Sequence, residues 1–308
     1  MIDKRFVAVF ALITAFGLIA PASAAVKVVA GFTAVSDCDA LFVAQEMGFF
    51  AKRGLDVDLQ LLSNSNVLAQ SMVAGSVQVG CTVPPVLLSA VAAGIDLVGI
   101  AGATVTTRNL TTIGAVVRTG LTINTPHDYI GKKIAVSGLG STLDILFSQW
   151  LVQKHVDPKQ VTFVEASFSA QGDLLKAGNV DVVLTADPFL SRIVSAGTGY
   201  VASYFPAELP EGTRLVIYDS TREWAKNVAQ RKAFQDALAE GSQYGQLHKE
   251  IDDVAISTYL GLSLPAVQSL KRSPADTKLT AAQLQWWIDA MTREGLLTSP
   301  VNARSIIE

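Results

Sequence analysis

The feature that most constrains the fold of this chain is an internal repeat. The segment AGSVQVGCTVPP, Ala74 to Pro85, returns 103 residues later as AGNVDVVLTADP, Ala177 to Pro188, and six of the twelve positions are identical. In both copies a Gly closes a predicted helix, a short apolar run predicts a strand, and a Thr and a Pro follow the strand end. A chain that repeats this unit is expected to fold as two similar α/β lobes.

A second pair of segments repeats at nearly the same offset. The strand pattern KVVAG at Lys27 leads through a polar loop into DALF at Asp39, and KIAVS at Lys133 leads into DILF at Asp144. Ligands of open α/β sheets bind beyond the carboxyl ends of the strands, so the two units are expected to face each other across a cleft. The competing explanation is coincidence, since any two strand–helix units share a Gly and a few Val residues.

The first 24 residues have the three parts of a secretory signal peptide. Lys4 and Arg5 precede an apolar run that ends at Ala20, and the residues ASA at 22–24 offer a cleavage site. The run is shorter than the ~20 apolar residues of a membrane-spanning helix. No Cys follows the cleavage site to carry a lipid, so we expect a periplasmic protein without a lipid anchor.

Charge and cysteine content limit the classes of partner. The formal net charge is −3 with 17% charged residues, and no Lys/Arg cluster is present, so nucleic acid is not an expected partner. Cys38 and Cys81 have no His or further Cys at ligand spacing, so neither a metal site nor a cofactor is predicted.

The two cysteines suit one disulfide in an exported protein. Cys38 follows the first predicted strand and Cys81 ends the third, and these strands are neighbours in a doubly wound sheet. Both thiols are therefore expected at the same rim of the first lobe, where a bridge requires Cα atoms within about 7 Å. The alternative is two small packing residues.

Apolar runs alternate with helical patterns after the leader, which predicts an α/β fold of mostly parallel sheets flanked by helices. The extended segments Asn109–Arg118 and Arg214–Tyr218 are predicted to cross between the lobes as a two-strand hinge. Lobe 1 is expected to comprise residues 25–112 and 216–308, and lobe 2 residues 113–215.

Three helical patterns bear on the packing. One helix is predicted over Ala40–Arg53, ending at Gly54, and another over Arg222–His248. Thr280–Glu294 is amphipathic, and its stripe around Trp287 predicts a helix packed on the first lobe rather than an exposed partner site.

The segment LFVAQEMGFFAKRGLDV, from Leu41 to Val57, resembles the first-helix signature of a known family. The family comprises periplasmic solute-binding proteins of the nitrate/sulfonate/taurine and thiamine-precursor type, whose members read roughly PLYVA-x-E-x-GYF-x-x-x-GLDV there. DYIGKKI from Asp128 and AGNVD from Ala177 also match, so the resemblance spans nearly the whole mature chain. It implies a two-lobed type II periplasmic-binding-protein-like fold, a small solute held in the cleft, and delivery to an inner-membrane ABC permease.

The chain departs from this family pattern in one loop. Members commonly carry a Pro where Asp39 or Ala40 stands, whereas this chain reads Ser-Asp-Cys-Asp at 36–39. The loop leads from the first strand into the first helix, so Asp37 and Cys38 are expected to border the ligand. Two carboxylates there disfavour a simple inorganic anion such as nitrate, since like charges repel and burial increases the cost.

The loops after the strands supply the other candidate ligand-binding residues. Ser141 and Thr142 open a predicted helix and present two hydroxyls and free N–H groups at its positive end, which suits an oxyanion. Either hydroxyl can instead cap that helix. Thr82 and Asp187 lie in the repeated turns and are expected to face each other across the cleft, although Asp187 is equally suited to cap the following helix.

Two further candidates lie near the predicted hinge and the first strand. Arg108 stands where it can clamp a carboxylate or sulfonate with two hydrogen bonds, or pair with Asp37 or Asp39. Phe32, with Phe168 and Phe189, can form an apolar wall, although core packing is the ordinary role of such residues.

These observations predict a monomeric receptor and not an enzyme. It would capture a small polar organic solute, such as a sulfonate, an aminosulfonate or a small organic acid, and deliver it to an ABC importer. A thiamine pyrimidine precursor or another aromatic compound remains an alternative ligand. An enzyme related to the pyrimidine synthases is a further alternative, although the chain lacks the cysteine-rich stretch of those relatives and offers no nucleophile–base pair at recognisable spacing.

Overall fold

The computed structural model describes residues 24–308. The predicted signal peptide lies outside the described residues except for Ala24. Within the described part, no helix is long and apolar enough to cross a membrane.

The first lobe is built on a five-stranded sheet in the order β2-β1-β3-β10-β4. The first three strands pair in parallel, while β10 runs antiparallel to both β3 and β4. The strands are β1 (Val26–Phe32), β2 (Leu55–Leu61), β3 (Val79–Thr82), β4 (Leu97–Val105) and β10 (Arg214–Thr221).

The second lobe has the same arrangement, in the order β7-β6-β8-β5-β9. Here β5 is the antiparallel strand, between β8 and β9. The repeated segments contribute β3 and β8, and their partners contribute β1 and β6, so the prediction of two similar parallel-sheet lobes is confirmed. The strands are β5 (Ile113–Arg118), β6 (Lys133–Val136), β7 (Thr162–Glu165), β8 (Val182–Ala186) and β9 (Gly199–Ser203).

Helices flank both sheets. They are α1 (Asp39–Glu46), α2 (Ser65–Val73), α3 (Pro84–Ala92), α4 (Thr142–Gln153), α5 (Phe168–Lys176), α6 (Phe189–Ser195), α7 (Arg222–Ala225), α8 (Val228–Leu247), α9 (Lys249–Leu260), α10 (Leu264–Ser269) and α11 (Ala281–Arg293). The indole of Trp287 on α11 is fully buried and donates to the carbonyl of Arg214 at 2.8 Å, which confirms the predicted packing on the first lobe.

Two helix predictions were wrong in extent. The helix predicted over Ala40–Arg53 ends at Glu46, because Gly48 has a φ of +66°, a backbone conformation that a helix cannot contain. The helix predicted over Arg222–His248 is divided, because the side chain of Asn227 accepts a hydrogen bond from the Gln230 N–H at 3.2 Å and starts a new helix, α8.

The chain crosses between the lobes at residues 106–112 and 204–213, not along the predicted strands Asn109–Arg118 and Arg214–Tyr218. Those segments largely form β5 and β10, each a full member of one sheet. The crossings are joined at Thr106, whose N–H donates to the Thr213 carbonyl at 2.9 Å and whose carbonyl accepts from the Gly212 N–H at 2.9 Å. Two paired connections of this kind form a hinge between otherwise separate sheets.

The structure contains the disulfide that the sheet order permits. Because β1 and β3 are neighbours, Cys38 and Cys81 lie at the same rim with their Cα atoms 6.2 Å apart, and their sulfurs are bonded. The bridge ties the loop after β1 to the end of β3.

Candidate functional site

A cavity of about 340 Å³ lies between the two lobes, beyond the carboxyl ends of their strands. The loops after β1, β2, β6 and β7 form most of its wall. Its polar lining residues are Thr33, Asp37, Ser63, Asn64, Ser65, Asn66, Ser137, Ser141, Thr142, Glu165, Ser167 and Ser169.

Ser141 and Thr142 line the cavity at the N-terminus of α4. Both hydroxyl oxygens are buried and have no hydrogen-bond partner within the described chain. Neither hydroxyl caps the helix, so that alternative reading is not what the structure shows. Instead, the carboxylate of Asp144, in the first turn of α4, binds the preceding loop: its Oδ2 accepts a hydrogen bond from the Gly140 N–H at 2.7 Å. Two unsatisfied donors at the positive end of a twelve-residue helix are suited to an oxygen-rich anion.

Asp37 lines the same cavity from the first lobe. Its side chain is only 7% exposed, and Oδ1 makes no hydrogen bond within residues 24–308. Burial raises the pKa of this carboxyl above its usual range, while the hydroxyls of Ser273 and Thr104 and the Arg272 guanidinium act in the opposite direction.

Four of the residues predicted from sequence lie next to the cavity without lining it. Thr82 donates to Asp219 Oδ2 at 2.7 Å, inside the first lobe. Asp187 accepts from the backbone N–H of Ser191 at 3.0 Å and from its hydroxyl at 2.7 Å, so its helix-capping alternative is the observed role. Phe32 packs edge-on against Phe42 in the core, with ring centroids 4.9 Å apart.

Cys38 is likewise removed from the cavity wall, because its sulfur is bonded to Cys81. It holds the loop that carries Asp37 rather than facing a solute.

Arg108 is not brought to the cavity. Its side chain is 86% exposed and lies 3.9 Å from Glu211 Oε2, in the first crossing between the lobes. It pairs with neither Asp37 nor Asp39, so neither predicted role corresponds to its position. A loop residue beside a hinge has no periodic pattern from which its direction can be read.

Sequence reasoning missed most polar residues of the wall, namely Thr33, Ser137 and two groups of neighbouring residues. The first is Ser63–Asn66 at the start of α2, where Asn64 Oδ1 accepts from the Val67 N–H at 2.9 Å. The second is Glu165, Ser167 and Ser169 around the start of α5. The first group directly follows β2 and the second begins at the last residue of β7, so the strand-end rule that selected Ser141 also points to them.

An aromatic pair covers one side of the cavity. The rings of Phe168 and Phe189 stack with centroids 5.5 Å apart and an interplanar angle of 18°. A neighbouring apolar cavity of about 270 Å³ shares Phe189 and Ala34 with the main one.

The charges of the wall are acidic. Its lining residues in the described chain include Asp37, which is buried, and Glu165, which is exposed at the rim, but no Lys, Arg or His. Residues 24–308 also contain no group of three or more His, Cys, Asp or Glu side chains able to hold a metal ion. The arrangement can therefore hold a small polar solute through hydroxyls, amides, helix N-termini and one buried carboxylate.

A two-lobed molecule with such a cavity has the fold of the periplasmic solute-binding proteins. It superimposes on the periplasmic aliphatic sulphonate binding protein SsuA of Escherichia coli with a TM-score of 0.77 and 20% identity, covering 92% of this chain and 97% of that one. The alkanesulfonate-binding protein SsuA of Xanthomonas axonopodis pv. citri, bound to MOPS, gives a TM-score of 0.78 at 19% identity. That match covers 93% of this chain and 99% of that one. The periplasmic nitrate-binding protein NrtA of Synechocystis PCC 6803 gives a TM-score of 0.77 at 17% identity. That match covers 92% of this chain and 85% of NrtA.

Residues 36–250 match the model of the NMT1/THI5-like family, and the chain belongs to that family. The chain is also 27% identical over 263 residues to the nitrate import ATP-binding protein NrtC of Synechocystis sp. (strain ATCC 27184 / PCC 6803 / Kazusa). That match covers 76% of this chain, which spans only 38% of the relative's length.

Proposed function

We propose that this protein is an extracytoplasmic receptor that captures a small organic oxyanion between its lobes and delivers it to an ABC importer. The observation that carries the proposal is the pair of buried, unpartnered hydroxyls of Ser141 and Thr142 at the N-terminus of α4. Buried polar groups in native proteins almost always have a partner, and at a cavity wall a ligand can supply the partner that the protein does not. The role is that of a receptor and not of an enzyme.

An organic sulfonate or carboxylate suits the cavity better than nitrate. The volume of about 340 Å³ is in the range of small-molecule sites and exceeds the space that a four-atom anion fills. The carboxyl of Asp37 also disfavours a small anion that must lie close to every wall, because like charges in a buried site repel strongly.

The paired crossings at 106–112 and 204–213 support a closing motion. Solute-dependent closure about a hinge of this kind changes the outer surface of a receptor, which a membrane permease can then recognise. The match to NrtC, whose name places it in nitrate import, supports an ABC importer as the partner. The predicted signal peptide supports a periplasmic location, and we propose that the receptor acts as a monomer.

Calorimetric titration of the purified exported chain tests the proposal. The probes are taurine, ethanesulfonate, β-alanine, propionate and nitrate. We expect saturable binding of at least one organic oxyanion, together with a rise in melting temperature that grows with its concentration. Binding of nitrate alone, or of none of the five, would contradict the proposal.

A second candidate ligand is an aromatic or heterocyclic compound, such as a thiamine pyrimidine precursor. The stacked pair Phe168 and Phe189 favours it, since a flat ring can extend that stack inside the cavity. Adding 4-amino-5-hydroxymethyl-2-methylpyrimidine to the panel decides between the two. Tighter binding of this pyrimidine than of every oxyanion would replace the first candidate.

A further inference from the structure

Asp37 has an acceptor that the protein itself leaves unused. Its side chain is more than nine-tenths buried, it lines the cavity between the lobes, and its Oδ1 has no hydrogen-bond partner in the described chain. Carboxylate oxygens buried in proteins are almost always hydrogen-bonded, so an unfilled one that faces a cavity indicates a missing partner.

The charged neighbours do not supply that partner. The guanidinium that affects Asp37 belongs to Arg272, which already donates to Asp252 Oδ2 at 2.9 Å and to Asp253 Oδ1 at 2.7 Å. Two other carboxyls, those of Asp39 and Asp187, repel a charge on Asp37. The phenol of Tyr218, on β10, is fully buried near the same group.

The donors that surround Asp37 are neutral. Burial is the largest influence on the pKa of Asp37 and raises it, while the neutral hydroxyls of Ser273 and Thr104 act in the opposite direction without hydrogen-bonding to Oδ1. No cationic side chain is among the described residues that line the cavity. An ionised Asp37 is therefore a buried negative charge without a pair, and a cation delivered with the solute would complete the pair.

The opposite wall already provides for the negative end of a solute. Ser141 and Thr142 offer two hydroxyl donors at the positive end of α4. Among the described residues that line the cavity, the buried polar atoms without a partner are thus two hydroxyls on the side of lobe 2 and one carboxylate oxygen on the side of lobe 1. A molecule that satisfies all three has an oxyanion at one end and N–H donors at the other.

We propose that Asp37 is the specificity-determining residue of this receptor, and that it accepts hydrogen bonds from a protonated primary amine of a zwitterionic solute. The inference rests on the proposed function, since it assigns the second end of the solute whose oxyanion faces Ser141 and Thr142. The competing arrangement is a neutral Asp37 that donates a hydrogen bond to an oxyanion. A charged Asp37 predicts tighter binding of solutes that carry an amine, and a neutral Asp37 predicts tighter binding of solutes that lack one.

Matched probes separate the amine from the oxyanion. Taurine and ethanesulfonate share a two-carbon sulfonate and differ in the amine, and β-alanine and propionate form the equivalent carboxylate pair. We expect calorimetry to show that the amine-bearing member of at least one pair binds about 30-fold or more tightly than its partner. Asp37→Asn should remove most of that preference while leaving affinity for the amine-free probe within about threefold.

Asp39→Asn is the matched control. Asp39 is the first residue of α1, two positions beyond Asp37, and does not line the cavity. Its removal takes away a charge that repels Asp37. The preference for the amine should therefore persist in this variant. Retained binding of the amine-free probe shows in the same experiment that Asp37→Asn is folded.

Each outcome has one meaning. Equal affinity for both members of each pair, or an Asp37→Asn variant that weakens both equally, overturns the amine assignment while leaving the receptor function intact. Tighter binding of the amine-free probes overturns it in favour of a neutral Asp37. Failure of all four probes to bind overturns the oxyanion receptor and this inference together.

Discussion

The loop after β1 and the loop after β6 occupy equivalent places in the two lobes but carry opposite chemistry. Ser36-Asp37-Cys38-Asp39 enters α1, and Ser141-Thr142-Leu143-Asp144 enters α4. With the repeated segments DALF at Asp39 and DILF at Asp144 aligned, Asp37 corresponds to Thr142. Both line one cavity, so a duplicated backbone has brought a carboxylate acceptor and a hydroxyl donor to opposite walls.

The two loops are also held differently. In lobe 1 the disulfide from Cys38 to Cys81 ties the loop to β3, whereas in lobe 2 a hydrogen bond from the Gly140 N–H to Asp144 holds the equivalent turn. The comparison indicates that the fold fixes where a ligand-binding loop lies, while single substitutions decide its charge and its rigidity.

The antiparallel strands differ in the same way. On β10, Asp219 lies opposite Gly80, and the equivalent pair in lobe 2 is Val116 on β5 opposite Val183. Asp219 is fully buried, and burial is the largest cause that raises its pKa to about 8. Lobe 1 therefore contains a titratable group where lobe 2 has an aliphatic side chain.

The largest effect on stability is expected from the buried carboxyl of Asp219. Because the pKa of Asp219 is higher in the folded state than in the unfolded chain, the stability it contributes is present below about pH 4 and is lost as the pH rises to about 8. Each pH unit in that window should lower the free energy of unfolding by about 1.4 kcal/mol from this group. Asp219→Asn should remove this component, because Asn is neutral and can still accept from Thr82.

Urea denaturation of the parent and of Asp219→Asn at pH 5 and pH 8 measures the contribution of Asp219 to the free energy of unfolding. The variant should gain stability relative to the parent as the pH rises. A constant difference between the two proteins at both pH values would show that Asp219 does not titrate in this window.

The second effect concerns the disulfide. Its cysteines are 43 residues apart in sequence, and a loop of that length corresponds to about 4 kcal/mol of stabilisation in the chain-entropy model. Cys38→Ser with Cys81→Ser should lower the free energy of unfolding by that order. Hydrogen exchange should rise in the loop at 33–38 but not in its counterpart at 137–141, which has no covalent tie. Two reactive thiols in the unreduced parent would remove the basis of this prediction.

The third effect is on binding. Thr142→Val should weaken taurine and ethanesulfonate alike by about 1–3 kcal/mol, because it removes one buried hydroxyl donor and preserves the shape of the side chain. Thr119→Val is a suitable control, since the Thr119 hydroxyl donates to the Gly197 carbonyl away from the cavity. Loss of affinity for taurine alone would place Thr142 at the amine end and reverse the assignment of the two walls.

The smallest effect is expected from Arg108. Its exposed ion pair with Glu211 contributes about 0–1 kcal/mol to stability, and its side chain lies outside the cavity. Arg108→Ala should leave both solute affinity and the denaturation midpoint nearly unchanged. A calorimetric loss of affinity comparable to that of Thr142→Val would show that Arg108 reaches the solute when the lobes close.

The repeat made most of the fold predictable. It implied two similar α/β lobes, and the strand adjacency of a doubly wound sheet placed Cys38 beside Cys81. The helix ends were less predictable, because Gly48 and Asn227 stop or start helices through backbone conformation and capping, which apolar periodicity does not record.

The candidate site was predictable only in part, for a related reason. Strand ends locate the loops of a cavity, but they do not determine the direction of each side chain. Asp37, Ser141 and Thr142 face the cavity, whereas Asp187 turns back to cap α6 and Thr82 turns inward to Asp219. Those alternatives differ by one or two hydrogen bonds. The partner of Thr82 comes from the distant strand β10, whereas the partner of Asp187 is Ser191, four residues along the chain.

The central claim is that Asp37 and Thr142 hold one solute between lobes that close around it. Small-angle X-ray scattering of the exported chain, with and without a saturating concentration of the tightest-binding probe, tests it directly. The claim predicts a smaller radius of gyration in the bound state, from rotation about the crossings at 106–112 and 204–213. An unchanged radius of gyration at saturation, with binding verified by calorimetry on the same sample, would contradict it.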